Sequence, residues 1–148
     1  MLFDYIFGKG VNKVLPLDRL EITVKEKNSK LKNIKLDNIL VATIRYDGSI
    51  ALTCYGAKLL SKSHSYIKNC VTIKSEAEDY VAKGYSVFAK HVIRCGDRVR
   101  PRSDVTIINS QGEVIAVGRA ILSAKMMMEF KSGMAVKVRE GINKSLGR

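Results

Sequence analysis

Every apolar stretch in this chain is short, and turn-forming residues close nearly all of them. A chain punctuated in this way is confined to short strands and short helices joined by tight connections. In the first half, Leu2–Phe7 reads as a short turn or helix ended by Gly8 and Gly10. LEITVK (20–25) alternates apolar and polar residues, the pattern of a half-buried strand. KEKNSK (25–30) is a polar turn, after which Lys30–Leu36 and Ile39–Arg45 form two more strands joined by Asp37-Asn38. Tyr46-Asp47-Gly48 is a hairpin turn, because Asp-Gly supplies the positive φ such turns need. Ser49–Cys54 continues the sheet, and Gly56–Ser61 is a short helix packed by Leu59 and Leu60.

The second half starts near Tyr66, so the chain divides at 1–65 and 66–148. Tyr66–Ile73 is strand-like. Ser75 with Glu78 three residues on reads as a capping box for a helix over Glu76–Lys83, ended by Gly84. Val87–Ile93 reads as a strand with Phe88 facing the core, and RCGDRVRPRSD (94–104) as a basic loop stiffened by Pro101. Val105–Asn109 and Val114–Leu122 form a hairpin around Ser110-Gln111-Gly112. Lys125–Lys131 is a short helix stopped by Ser132-Gly133, and Ala135–Arg139 is the last strand. The order β-α-β-loop-β-β-α-β with short strands implies a small mixed barrel behind an α+β first domain.

Charge narrows the partner. Lys and Arg number 26 against 14 Asp and Glu, a net of +12. The excess is even: 12 − 6 = +6 over residues 1–70 and 14 − 8 = +6 over residues 71–148. Such an excess repels itself, and a polyanion relieves it while releasing counterions, so nucleic acid leads and an anionic membrane follows. Cys54, Cys70 and Cys95 are widely spaced without a CxxC pair, which argues against a zinc site or a disulfide framework. No signal peptide and no bilayer-length apolar run is evident, so a cytoplasmic protein is expected. No Ser/His/Asp, HExxH or phosphate-loop pattern surrounds His64 or His91, and neither catalysis nor a cofactor is expected.

Four blocks, VAKGYSVFAKHV (81–92), RPRSDVTIIN (100–109), EVIAVGRAILSAKMM (113–127) and GMAVKVREGI (133–142), resemble a PUA domain. Their wording is similar to the PUA domain that ends archaeosine tRNA-guanine transglycosylase. DYIFGKG (4–10), LEITVK (20–25), ATIRYDGSIALT (42–53) and YGAKLL (55–60) resemble the patch-forming C2 domain before it, although the Lys-rich 25–36 segment departs from that family's wording. The catalytic barrel, with its Asp nucleophile and zinc cysteines, has no counterpart in the sequence. The resemblance therefore implies an α+β patch domain followed by a PUA pseudobarrel. It implies a non-catalytic tRNA-binding tail or subunit for a catalytic transglycosylase or archaeosine synthase. A factor of the ribosome or of ribosome biogenesis is the alternative.

The RNA-binding candidates follow from both lines. The Gly84-Tyr85-Ser86 turn would bring backbone amides close to phosphate, as PUA domains use this turn, and Lys90 would face it. Arg98, Arg100 and Arg102 recur at alternate positions, which shares one face if their segment is extended. Lys137 and Arg139 alternate with Val136 and Val138, placing the basic residues outward. Asp104 opens a strand and would pair with a neighbouring Arg, a structural role. Met126, Met127, Met128 and Phe130 have the spacing of core or interface residues, not metal ligands. Lys9, Lys13, Arg19, Lys58 and Lys62 would extend the basic patch.

Overall fold

The computed structural model describes residues 7, 8, 10, 13, 15–24 and 32–143. The expected helix over Leu2–Phe7, except Phe7 itself, the KEKNSK turn and Lys9 lie outside them. The chain divides into two compact units, Met1–Tyr66 and Ile67–Arg148.

Unit 1 is a meander of four antiparallel strands, β1 (Leu20–Val24), β2 (Lys32–Leu36), β3 (Ile39–Ile44) and β4 (Ile50–Leu52), in that order across the sheet. The β2–β3 turn holds Asp37 at φ 52° and Asn38 at φ 68°, the two positive angles of a type I′ hairpin. Gly48 takes φ 85° at the β3–β4 turn. There Ser49 donates its hydroxyl and its amide to Asp47, which holds that carboxyl below its ordinary range. Thr53 caps helix α1 (Cys54–Leu60), its Oγ1 accepting from the Gly56 amide at 3.0 Å. The cap starts the helix two residues before the expected Gly56. A Cβ at Gly56 would lie 2.1 Å from the Val41 carbonyl oxygen, so α1 packs on β3 at a distance only glycine permits. Phe7 and Tyr66, both buried, meet edge to face with centroids 5.6 Å apart and tie the two ends of the unit together.

Unit 2 carries six strands, β5 (Cys70–Ile73), β6 (Val87–Phe88), β7 (Val92–Cys95), β8 (Asp104–Ile108), β9 (Val114–Ala120) and β10 (Met134–Gly141). The sheet order is β6-β10-β9-β8-β5-β7, antiparallel except for the parallel β5/β8 pair. β6 and β7 thus stand at opposite edges, yet only Ala89–His91 separate them. Those few residues span at most about 14 Å, so the sheet must curl until its edges meet, making a nearly closed pseudobarrel. Helix α2 (Glu78–Ala82) packs on β9 and β10, and α3 (Ala124–Glu129) on β7. The core runs through Val71, Ile73, Val81, Val87, Ile107, Ala116, Met127 and Val136. Full burial of each larger member contributes about 1.5–3 kcal/mol.

Three expectations need correction. Tyr66–Ile73 is not one strand: a 3-10 segment occupies His64–Asn69 and the strand begins at Cys70. The Ser75/Glu78 capping box does not form. A 3-10 turn precedes α2 with no side-chain cap, and Glu78 instead accepts from Asn109 Nδ2 at 3.0 Å. Val87–Ile93 is broken by a 3-10 turn at Ala89–His91, which reverses the inside-outside alternation. Ala89 goes inward and Phe88 outward, 44% exposed, so Phe88 is not a core residue. By contrast, Ser123 caps α3 through the Met126 amide, and Gly133 turns at φ 91° where the stop was expected.

Two predictions follow. Asn109 is buried at the β8–β9 hairpin, accepting from the Gln111 and Glu113 amides and donating to Glu78 and Glu113, all at 2.9–3.0 Å. Asn109→Ala orphans these groups and should cost about 2–3 kcal/mol, read as a lower melting temperature. Burial pushes the Cys70 thiol up to about 12 and the Cys95 thiol to about 11 from 9.0. The folded state therefore holds these protons more tightly. The linked stability is fully present below pH 9 and is lost as pH rises through about 11 for Cys95 and about 12 for Cys70. Cys70→Ala should flatten the alkaline fall in melting temperature relative to the wild type.

Candidate nucleic-acid interface

The C-terminus of α2 shapes the first surface. Gly84 adopts φ 105°, its amide donates to the Val81 carbonyl at 2.9 Å, and the Tyr85 amide donates to the Tyr80 carbonyl at 3.1 Å. This is a Schellman cap. Two of the three amides expected to face phosphate at Gly84-Tyr85-Ser86 are thus consumed inside the cap. What the cap presents is aromatic: Tyr85 is thrown back onto Tyr80, their rings T-shaped with centroids 6.2 Å apart. Both stay outside the core, at 63% and 65% exposure. Beyond them lies an open groove of about 450 Å³, floored by Ala77 and Val81 and walled by Tyr80, Tyr85, Ser86, Phe88, Lys90 and His91. His91 Nε2 stands 3.9 Å from Glu76 Oε1. The final strand buttresses the cap: a Cβ at Gly141 would fall 2.2 Å from the Ala82 carbonyl oxygen.

The arginine loop differs from its expected form. It is not extended. Arg100–Ser103 is a turn closed by the Ser103 amide on the Arg100 carbonyl at 2.9 Å, with Pro101 second and Arg102 third at φ 74°. Proline followed by a positive φ is the type II pattern. Buried Val99 anchors the loop, while Arg98, Arg100 and Arg102 are exposed around a bend and do not share one flat face. The Arg102 amide donates to the Ala120 carbonyl at 2.8 Å, and the Ala120 amide to the Ser103 carbonyl at 2.9 Å, pinning the turn to the end of β9.

On the last strand, Val136 is buried, Val138 half-buried and Lys137 exposed. Arg139 is the extra residue of a β-bulge, lying between the Val138↔Gly118 and Glu140↔Val117 pairs. From there it donates from Nη1 and Nη2 to the two carboxylate oxygens of Asp104, at 2.7 and 3.4 Å. The Asp104 side chain is 4% exposed and that of Arg139 33%. Asp104 thus has the structural arginine partner expected of it. A Cβ at Gly118 would lie 2.3 Å from the Lys137 carbonyl oxygen, so glycine allows β10 to close in at the bulge.

The structure brings Tyr85, Ser86 and Lys90 together in the groove, with Gly84 as its frame, and sets the arginine turn and Lys137 on either side of the end of β9. Tyr80, Phe88, His91 and Arg119 were missed as surface residues. Tyr80 had a signal: a Schellman cap brings the residue after its glycine against the one three positions before the cap, here Tyr85 against Tyr80. Among the described residues, no group of His, Cys, Asp or Glu is placed to hold a metal ion, and no helix is long and apolar enough to cross a membrane.

A glycine-turned helix end packed on a six-stranded mixed pseudobarrel, preceded in the chain by a small α+β unit, defines a two-unit protein of the PUA type. Residues 69–142 match the PUA domain family and residues 1–66 match the patch-forming domain C2 of tRNA-guanine transglycosylase; the chain belongs to the PUA-domain family, with the C2 domain preceding it. Among curated relatives, the tRNA-guanine(15) transglycosylase of Methanothermobacter thermautotrophicus is 37% identical over 95% of this chain. That of Pyrococcus abyssi is 35% identical over 95%. The chain spans only 22% and 24% of their lengths. Among solved structures, a hypothetical protein of Pyrococcus horikoshii superposes with a TM-score of 0.77 at 22% identity, over 98% of this chain and 88% of that one. A PUA domain protein of Thermoplasma acidophilum gives 0.65 at 23%, over 86% and 78%. At these identities the two structures speak for the fold.

The Asp104–Arg139 pair carries a prediction. Arg139→Ala removes the guanidinium from a nearly buried carboxylate and should cost about 2–3 kcal/mol. Lys137→Ala, on the open face, should stay within about 0.5 kcal/mol of wild type in the same denaturant titration.

Proposed function

We propose that this chain is an RNA-binding module whose ligand is tRNA, acting as the RNA-gripping part of a guanine-exchanging or archaeosine-forming enzyme and carrying no chemistry of its own. The carrying observation is the groove beside α2. Exposed tyrosines in a well-packed protein are tolerated singly, but three aromatic side chains lining one open groove next to a lysine form a platform for unstacked bases with a cation for the adjoining phosphate. The net charge of +12 supplies the long-range attraction. The similarity to tRNA-guanine(15) transglycosylases over nearly the whole chain supports tRNA as the RNA and a catalytic transglycosylase or synthase as the partner. Gly84, Tyr85, Ser86 and Lys90 belong to the groove. Arg98, Arg100, Arg102 and Lys137 add backbone contacts, and Arg139 supports them through Asp104.

The test is titration of labelled tRNA with the purified chain. Tyr80→Ala and Tyr85→Ala should each weaken binding by about 1–3 kcal/mol, the range for one lost stacking contact, with unchanged melting temperature. The log of the wild-type affinity should fall steeply and linearly with log salt. The isolated chain should exchange no guanine into tRNA. Salt-independent affinity, or binding untouched by both tyrosine variants, would refute the reading.

A further inference from the structure

We propose that Arg119 and Lys137 form a phosphate-binding site on the outer face of the barrel, separate from the aromatic groove, which takes the backbone of an RNA duplex. The proposal rests on the reading of unit 2 as an RNA-binding domain and adds a site and a ligand form to it.

Arg119 on β9 and Lys137 on β10 are direct cross-strand partners, so their side chains leave the same face of the sheet, and both are exposed. Directly opposed residues hold their Cβ atoms about 4.5–5.5 Å apart, and like charges there are destabilising. Arg119 has one acidic partner in register, Asp104 on its other side. The two oxygens of that carboxylate are turned to Arg139, which reaches across from its bulge. Glu140, the next acid on this face, is half-buried opposite Val117, a register step away. Arg119 and Lys137 therefore have no ion pair among the described residues. The pinned turn brings more cations to the same edge, since Arg102 bonds Ala120, the neighbour of Arg119. Arg100 and Arg102 are likewise without an ion pair among the described residues.

Both oxygens of Asp104 bond Arg139, and Arg119 and Lys137 stand side by side without an ion pair among the described residues, beside a basic turn. One phosphate lying between Arg119 and Lys137 turns their repulsion into attraction on both sides. The arginine fork and the lysine point charge are complementary donors for such an oxyanion. Met134, which pairs with Phe88 at the groove, lies three residues from Lys137 along β10, about 10 Å at strand rise. Groove and basic row thus flank one strand. Neither Arg119 nor Lys137 has an aromatic register neighbour on the row, so the contact is to backbone and independent of sequence.

The experiment uses the full chain and two probes. Inorganic phosphate, followed by amide NMR, should shift Arg119, Lys137 and Arg102. A blunt RNA duplex without single-stranded ends, titrated at several salt concentrations, reports the backbone contact. The Arg119→Ala/Lys137→Ala double variant should keep its melting temperature and lower the log–log salt slope by about one to two. A Lys32→Ala/Lys35→Ala control, with the same loss of net charge on β2 of unit 1, should change the slope less. Equal slope changes in the two doubles, or an unchanged slope and affinity in the first, overturn the site. If tRNA binds through the tyrosines while the first double behaves as wild type, the site falls and the RNA reading stands. If no RNA binds while phosphate still shifts Arg119 and Lys137, the RNA reading and the duplex assignment fall together.

Discussion

Three residues, Ala89–His91, impose the geometry on which unit 2 depends. They join strands that the ladder places at opposite edges of a six-stranded sheet. A sheet with its edges held so close has no flat solution; it curls, and twist does the rest. The connecting turn is stitched on both sides, with the Ala89 amide donating to the Gly133 carbonyl before β10 and the Lys74 amide to the His91 carbonyl after β5, each at 2.9 Å. The seam is also where the ladder is shortest, since β6 has only two residues. An unpaired seam exposes side chains that a continuous strand would alternate inward, and Phe88, Lys90 and His91 emerge there beneath the end of α2. The aromatic groove is a consequence of closure.

Much of this was legible in the sequence because it rests on local rules. Asp37-Asn38, Asp47-Gly48, Gly84, Gly112 and Gly133 all mark turns, and each of these turns has at least one residue at positive φ. LEITVK became β1, though not the half-buried strand its alternation implies, since Ile22 is exposed there, and the block order of the second half became the chain order of the barrel. The failures have equally physical causes. Ser75 and Glu78 match a capping box by spacing, but Glu78 lies within reach of the buried Asn109 amide, and a buried amide needs its partner more than a helix start does. Val87–Ile93 looks like one strand because its apolar content is that of a strand. Nothing local records that the chain must change edges at Ala89.

The arginine turn shows the limit of period-two reasoning. Arg98, Arg100 and Arg102 share a face only if the backbone is extended, and Pro101 makes that outcome less natural than it looks. Proline presets the second position of a turn, and the chain needed one there because Val99 must go inward while Arg102 must bond Ala120. The result places Arg102 at φ 74°, a region costing a non-glycine residue roughly 1–2 kcal/mol. Glycine would occupy that position without the cost. An arginine held there contributes nothing to the turn that glycine would not, so its side chain is the feature gained for the strain.

The same logic separates the two arginines that the sequence presents as equals. Arg139 and Arg119 both sit on barrel strands and both face out, and composition cannot rank them. The bulge decides. It adds a residue to β10, so Arg139 falls out of the ladder and swings to a carboxylate that is nearly buried. Arg119 stays in register and meets Lys137. One arginine is thereby committed to the protein, where its removal strands a negative charge. The other stands in register between Asp104 and Lys137, without an ion pair among the described residues. The phosphate site proposed for Arg119 and Lys137 thus rests on where the bulge leaves each arginine, and a polyanion there would offset the charge on both strands at once.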